Sequence, residues 1–209
     1  MPPDARPIPR YIAEPPQEPL PYGRWAEALG GHFLEGAGRI DADEELGEPG
    51  EITWFPDRSF DGRTYVPGTA RTTNGYELFG YVSFGRGAER GGPADFDAQV
   101  DYTGETADAN PDWSLDLSDQ EVGAWRGPEA RQGVITLVWG VALVPNGAVA
   151  TAELGPTTTD QCELTKDRFT LVSLDAYTGD YIEVRLYDRR GSELARESLY
   201  AEDGEDEDE

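Results

Sequence analysis

The sequence predicts a mainly β protein, in which antiparallel sheets pack as one large sandwich or as two small β units, with one amphipathic helix near the N-terminus. Three observations favour this class. Short apolar runs alternate with turn signals from residue 52 to residue 200, Asn-Gly at 74–75 separates two such runs, and residues 134–144 form the longest apolar run and contain no charge. We interpret residues 134–144 as a strand buried on both faces.

The helix is predicted over residues 22–40, the one stretch with a convincing helical period. Its apolar positions recur at spacings of four and three, at Trp25, Leu29, Phe33, Ala37 and Ile40. This spacing places them on one helix face. Glycines within the segment each weaken a helix by about 1 kcal/mol relative to alanine, so this helix needs tertiary packing to form.

Strands are predicted on both sides of a polar connection. The first group covers residues 52–55, 64–66, 69–73, 76–84 and 96–102, with turns at Pro67-Gly68 and Asn74-Gly75. The second group covers residues 121–125, 134–144, 148–154, 169–174, 181–187 and 193–200. We expect residues 148–154 to be the hairpin partner of residues 134–144, because Pro145-Asn146-Gly147 between them signals a tight reversal. Residues 155–167 are expected to be a polar connection.

The predicted organisation has five segments. Residues 1–21 form a Pro-rich extended arm, residues 22–40 the helix, residues 41–116 a first β region, residues 117–201 a second β region, and residues 202–209 an acidic disordered tail. Proline fixes φ and lacks a backbone donor, so the arm cannot be a helix or an inner strand. Its apolar residues are candidates for binding a partner: Ile8, Tyr11, Ile12 and Leu20.

The formal net charge of −25 restricts the partners of this chain. A strongly negative surface repels the phosphates of nucleic acids and anionic lipids, so we expect neither a nucleic-acid nor a membrane partner. Genome composition or adaptation to high salt would also produce such acidity. Because the sequence has one cysteine, no apolar leader and no run long enough to cross a membrane, we expect a soluble protein that is cytoplasmic or is released without a signal peptide as part of a particle.

Motifs that would support catalysis or metal binding are missing from the sequence. His32 is the one histidine and has no partner set nearby, and Cys162 lies between acidic residues that raise the pKa of a thiol. Two clusters of oxygen ligands lack the spacing of a calcium loop: Asp95, Asp97 and Asp101, and then Asp108, Asn110, Asp112, Asp116 and Asp119. We therefore predict no catalytic residue, no metal site and no cofactor.

Three functions remain as hypotheses. The first is a non-enzymatic structural or adaptor subunit that binds other proteins in a larger assembly, since an extended arm beside β modules resembles in layout the components of virions and injection particles. The second is a β-sandwich that binds carbohydrate or a calcium-dependent ligand, with aromatic platforms at Trp54, Tyr65, Tyr76, Trp113 or Trp125. The third is a hydrolase that uses a pair of carboxylates.

Overall fold

A computed structural model describes residues 20–87, 92–126, 132–175 and 182–199. These residues form one helix and twelve strands: α1 (Gly23–Ala37), β1 (Thr53–Trp54), β2 (Arg58–Phe60), β3 (Arg63–Arg71), β4 (Glu77–Arg86), β5 (Pro93–Thr103), β6 (Leu115–Arg126), β7 (Gln132–Ala142), β8 (Val149–Leu154), β9 (Thr157–Glu163), β10 (Arg168–Asp175), β11 (Ile182–Tyr187) and β12 (Glu193–Ser198). The predicted mainly β class with one N-terminal helix is confirmed.

The strands pair antiparallel in three sheets. The first sheet has the order β1-β3-β4-β5, with β2 also paired to β3. The middle sheet has the order β10-β7-β6, and the last sheet has the order β12-β11-β8-β9. The hairpin predicted at Asn74-Gly75 is confirmed, since β3 and β4 pair around it and Gly75 adopts a φ of +91°.

The layers stack in the order α1, first sheet, middle sheet, last sheet, and three apolar clusters join them. The cluster between α1 and the first sheet includes Leu29, Phe33, Val66, Leu78 and Val82. The cluster between the first and middle sheets includes Tyr65, Tyr81, Leu137, Trp139 and Val172. The cluster between the middle and last sheets includes Val138, Leu171, Ala152, Val184 and Leu186. The middle sheet is therefore covered on both faces.

Strand β7 lies at the centre of the middle sheet, and the prediction that it is buried on both faces is confirmed. Ile135, Leu137 and Trp139 contact the first sheet, whereas Val138 and Ala142 contact the last sheet. This arrangement explains the uninterrupted apolar run, because most described positions of the strand are buried.

The predicted hairpin partner of this strand is wrong. Strand β7 pairs with β6 and β10, whereas β8 pairs with β9 and β11 in the last sheet. The turn after β7 does reverse the chain, and Asn146 adopts a φ of +70° there. The reversed chain crosses to the next layer, so that Ala150, Ala152 and Leu154 cover the middle sheet instead of extending it.

Two further boundaries differ from those predicted. Pro67-Gly68 is not a turn but lies inside β3, at the point where the sheet edge changes from β2 to β1. The Pro67 carbonyl there accepts a hydrogen bond of 3.0 Å from the Phe55 N–H. Residues 155–167 are not only a connection, because they contain β9, whose polar side chains reflect its place at a sheet edge.

Helix α1 packs unusually closely on β5. A Cβ atom added at Gly36 would lie 2.9 Å from Val100 Cγ2 and 3.3 Å from Ala98 Cβ. The glycine therefore serves the packing of the helix, although it lowers helix propensity. No helix among the residues described has both the length and the apolar character that crossing a membrane requires.

Candidate functional site

The predicted partner-binding residues fall at the start of the described chain. Ile8, Tyr11 and Ile12 lie outside the described residues. Leu20 is half-buried and lines a cleft of about 740 Å³, which we call the N-terminal cleft. The cleft is lined by residues of the segment before α1, the β1 edge and the β9–β10 turn: Leu20, Pro21, Tyr22, Glu51, Ile52, Thr53, Trp54, Thr165, Lys166 and Arg168.

Backbone geometry holds the two sides of the N-terminal cleft in place. Lys166 and Asp167 both adopt left-handed conformations, with φ of +51° and +63°, and so make a tight turn. Arg168, at the end of this turn, donates a hydrogen bond of 2.9 Å from Nη1 to the Trp54 carbonyl in β1. On the other side, Tyr22 is in an extended conformation before α1, and 77% of its surface is exposed.

A carboxylate cluster lies at the edge of the contact between the first and middle sheets. Arg71 Nε is 3.0 Å from Glu77 Oε2, and Arg71 Nη2 is 3.0 Å from Asp108 Oδ2. Burial raises the pKa of Glu77, the charge of Asp116 raises it further, and Arg71 opposes the shift. Burial also raises the pKa of Asp116, again opposed by Arg71. Carboxyls with raised pKa values occur at acid–base sites and also in structural ion-pair networks, so this pair is a candidate for such chemistry.

The aspartates predicted as possible oxygen ligands are dispersed or paired with arginine. Asp95, Asp97 and Asp101 alternate along one exposed face of β5, and Asp95 Oδ2 is 2.8 Å from Arg63 Nη1. From the second cluster, Asp108 pairs with Arg71, and the charge of Arg71 also acts on Asp116. In the described ranges, no three His, Cys, Asp or Glu side chains gather in a group that would hold a metal ion.

The aromatic residues expected to form ligand platforms are mostly turned inward. Trp54 and Tyr65 are 7% and 6% exposed, and Trp125 packs against the cluster between the first and middle sheets. Tyr76 makes an edge-to-face contact with Tyr102, with ring centroids 5.7 Å apart. The expectation of a platform at Trp54 or Tyr65 is therefore wrong, because strand alternation directs both rings into the core.

His32 and Cys162 both make packing contacts that are typical of structural residues. The His32 ring stacks on Phe96 with centroids 4.5 Å apart and an angle of 10° between the planes. Cys162 is 4% exposed and its Sγ donates to the Glu163 carbonyl at 3.2 Å. Burial is the main cause that raises the pKa of this thiol, and the neighbouring acids add to it. Such a thiol is a weak nucleophile at neutral pH.

Sequence reasoning missed a buried ion pair that joins all three sheets. Arg58 in β2 binds the carboxylate of Asp160 in β9, and their side chains are 3% and 8% exposed. The same carboxylate accepts the Val172 N–H of β10 and the Gln161 N–H, both at 2.8 Å. Burial raises the pKa of Asp160, and Arg58 with these N–H donors opposes that shift. No sequence signal links residues this far apart in the chain.

A second polar network lies on the outer face of the last sheet. Glu153 is 8% exposed, and its carboxylate is 3.2 Å from Arg185 Nη1 and accepts a 3.2 Å hydrogen bond from the Tyr187 hydroxyl. Thr151 and Tyr187 also line a concavity of about 730 Å³ on this face. The alternation of β8 and β11 predicts that these residues share a face, but not that the face is concave.

Searches of protein-family models, of curated proteins and of solved structures found no match to this chain.

Proposed function

We propose that the chain is a non-enzymatic adaptor subunit that binds another protein at the N-terminal cleft. The observation that carries this proposal is the exposed Tyr22 ring beside a cleft lined by Ile52 and Trp54. Binding energy at protein interfaces concentrates on aromatic side chains next to apolar pockets, whereas an isolated apolar side chain elsewhere on the surface needs no explanation.

The position of the cleft also supports the proposal. The predicted arm of residues 1–21 joins the described fold at Leu20, on the lip of the cleft. A partner seated in the cleft would thus contact Leu20, the one predicted partner-binding residue that the structure describes. The charges of the lining are mixed, because Glu51, Lys166 and Arg168 line the cleft together with the apolar Leu20, Ile52 and Trp54, and this mixture suits a protein surface with a polar rim.

The carboxylate cluster gives weaker support to the hydrolase hypothesis. Glu77 and Asp116 line neither the N-terminal cleft nor the concavity on the last sheet. Arg71 occupies the space beside Glu77 and neutralises part of its charge. A hydrolase of this kind needs two carboxyls that face a bound substrate.

The adaptor proposal is tested in extracts of the cells that make the protein. Wild-type chain is expected to elute from a sizing column in a large complex. Tyr22→Ala is expected to shift it to the monomer position, because losing an aromatic anchor costs about 2–4 kcal/mol, roughly thirty-fold or more in affinity. Leu143→Ala is the matched control, since Leu143 is 41% exposed but does not line the cleft. Wild-type chain that elutes as a monomer would refute the proposal.

A second candidate function is the binding of a neutral glycan in the concavity on the last sheet. Tyr187 offers an aromatic side chain there, and Thr151, Gln161 and Glu163 offer hydrogen-bonding groups. A glycan panel probed with and without Ca²⁺ tests this candidate. Wild-type binding that Tyr187→Ala abolishes would support it, whereas no binding to any glycan would exclude it.

A further inference from the structure

We propose that the concavity on the last sheet binds an arginine side chain of a partner protein. Its lining includes the aromatic ring of Tyr187, the hydroxyl of Thr151 and the carboxylate of Glu163. The N-terminal cleft shares no lining residue with it. The inference therefore goes beyond the adaptor function proposed for that cleft, because it gives the chain a second protein-binding site of defined chemistry. A neutral glycan is the alternative occupant of this concavity.

A buried carboxylate fixes the direction of two hydroxyl groups at the concavity. Glu153 is 8% exposed, and its Oε1 atom accepts a hydrogen bond of 3.2 Å from Thr151 Oγ1 and another of 3.2 Å from the Tyr187 hydroxyl. A hydroxyl group has one proton to donate. Because Glu153 accepts that proton, the Thr151 oxygen can only accept a hydrogen bond from a molecule in the concavity.

Strand β9 adds a second acceptor to the same face. The register pairs Val149 of β8 with Glu163 of β9 and with Tyr187 of β11, so these three side chains share the outer face. Glu163 is exposed, and no described basic side chain lies within ion-pair distance of its carboxylate. Gln161 of β9 also lines the concavity, and its amide can donate or accept. The β9 side of the concavity therefore offers acceptors and a negative charge.

This pattern selects a cation that carries several hydrogen-bond donors. A guanidinium group has five N–H donors, no acceptor and a planar face that stacks on aromatic rings. It can donate to Thr151 and Glu163 while it lies against the Tyr187 ring. The aliphatic part of the arginine side chain can contact Val149. A neutral glycan also supplies donors, but it has no positive charge to complement Glu163, so the concavity favours arginine.

A basic residue of the chain itself restricts where the guanidinium binds. Arg189 lines the concavity from the turn after β11, and β8 lies between β11 and the strand that carries Glu163. Asp188 Oδ1 accepts the N–H groups of Arg190 and Ser192, both at 2.8 Å, and so holds this turn in place. The bound arginine is therefore expected on the β9 side of the concavity, away from the positive charge of Arg189.

The test uses the full chain and a labelled pentapeptide with blocked ends and one arginine between glycine and serine residues. We expect binding that weakens with salt and that shifts the amide NMR signals of Gly147, Ala148 and Gly191, which line the concavity. The reference peptide carries citrulline, which has nearly the shape of arginine but no charge. It is expected to bind at least about fivefold more weakly, because charged donors make stronger hydrogen bonds.

Two variants with the same change of net charge separate a binding site from general attraction of cations. The Glu153→Gln amide can donate to Thr151 Oγ1, which frees the Thr151 proton to point into the concavity, and we expect about a threefold to tenfold loss of affinity. Glu183→Gln is the matched control. Glu183 also pairs with Arg185, at 2.7 Å, but it does not line the concavity, so its replacement is expected to change affinity by less than about twofold.

Glu163→Gln tests the proposed direct contact. The variant removes the carboxylate that would bind the guanidinium, and we expect about a fivefold or larger loss of affinity relative to Glu183→Gln. Glu163 is exposed, so this substitution does not leave a buried group without its partner. If Glu153→Gln does not fold, as judged by circular dichroism, the comparison of Glu163→Gln with Glu183→Gln decides the question.

Several results would overturn the inference. They are absence of binding by the arginine peptide, equal binding of the citrulline peptide, amide shifts confined to residues outside the concavity, or equal affinity of the Glu163→Gln and Glu183→Gln chains. Binding of a neutral glycan at the concavity without binding of the arginine peptide would also overturn it and would support the glycan candidate. None of these measurements involves Tyr22, so the adaptor proposal at the N-terminal cleft stands or fails separately.

Discussion

The replacement of Asp160 by asparagine tests what holds the three sheets together. The side chain of Arg58 is 3% exposed and faces this carboxylate. Asp160→Asn keeps an oxygen for the Val172 N–H but removes the negative charge of Asp160 from beside the guanidinium. Removing one partner of a buried ion pair lowers the free energy of unfolding by about 3–5 kcal/mol, and we expect a loss in that range.

Two further variants isolate the charge from other effects. Arg58→Met/Asp160→Asn removes both charges of this pair and is expected to lie within about 1–2 kcal/mol of the wild type, so the two substitutions are strongly non-additive. Asp108→Asn breaks the ion pair between Arg71 and Asp108. The side chain of Arg71 is 40% exposed and that of Asp108 is 91% exposed. That exposed pair is expected to contribute less than about 1 kcal/mol.

Urea unfolding followed by tryptophan fluorescence measures these differences. The chain has five tryptophans, and Trp139 is fully buried in the middle sheet. The urea concentration at the unfolding midpoint is expected to be lower for Asp160→Asn, while the slope of the free energy of unfolding against urea stays constant. This loss of stability is expected to persist at high salt, because the ion pair is buried. The reasoning would be refuted if Asp160→Asn cost no more than Asp108→Asn, or if the double variant were as unstable as the single one.

Three other predictions concern packing, pH and reactivity. Gly36→Ala is expected to lower the free energy of unfolding by about 1–3 kcal/mol, because the added Cβ would lie 2.9 Å from Val100 Cγ2. Gly31→Ala is expected to stabilise the protein by up to about 1 kcal/mol, because its added Cβ would meet nothing within 4 Å. Urea unfolding measures the free energy of unfolding of both variants. The folded-state pKa of Asp116 is raised, so its ionisation opposes folding as pH rises from the ordinary carboxyl range through that raised value. Asp116→Asn is accordingly expected to stabilise at neutral pH by less than about 1 kcal/mol and not below about pH 4, and equal effects at both pH values would contradict this. Cys162 is expected to react with a thiol reagent only after unfolding, and fast labelling of the native chain would show that its burial is incomplete.

Short-range sequence patterns predicted the elements that depend on neighbouring residues, namely the helix, one hairpin and the buried face of one strand. The spacing of Leu29 and Phe33 predicts the helix, and Asn74-Gly75 predicts a hairpin because few residue pairs tolerate its backbone angles. The alternation of Ile182, Val184 and Leu186 predicts one buried face of β11, and all three are fully buried.

The pairing of strands required information that local patterns do not contain. Turn residues such as Asn146 predict that the chain reverses. They do not predict whether the next strand pairs in the same sheet or packs in the adjacent layer. Pro67 looked like a break because proline usually ends a strand, yet here it lies where the neighbouring edge strand changes. The lining of the N-terminal cleft combines segments far apart in sequence. The sequence pointed only to Leu20, as a partner-binding residue, and to Trp54, as an aromatic platform.

The covered middle sheet has a consequence for the order of events during synthesis. The ribosome delivers β7 well before β10, its partner along one edge, and before every strand of the last sheet. Until those strands emerge, the most apolar stretch of the nascent chain has one side without its native neighbours. Exposed apolar strands of this kind are where chaperones bind and where misfolding begins. The interval between residues 142 and 198 is therefore the stage at which nascent chains are most vulnerable, and slower translation there would prolong it.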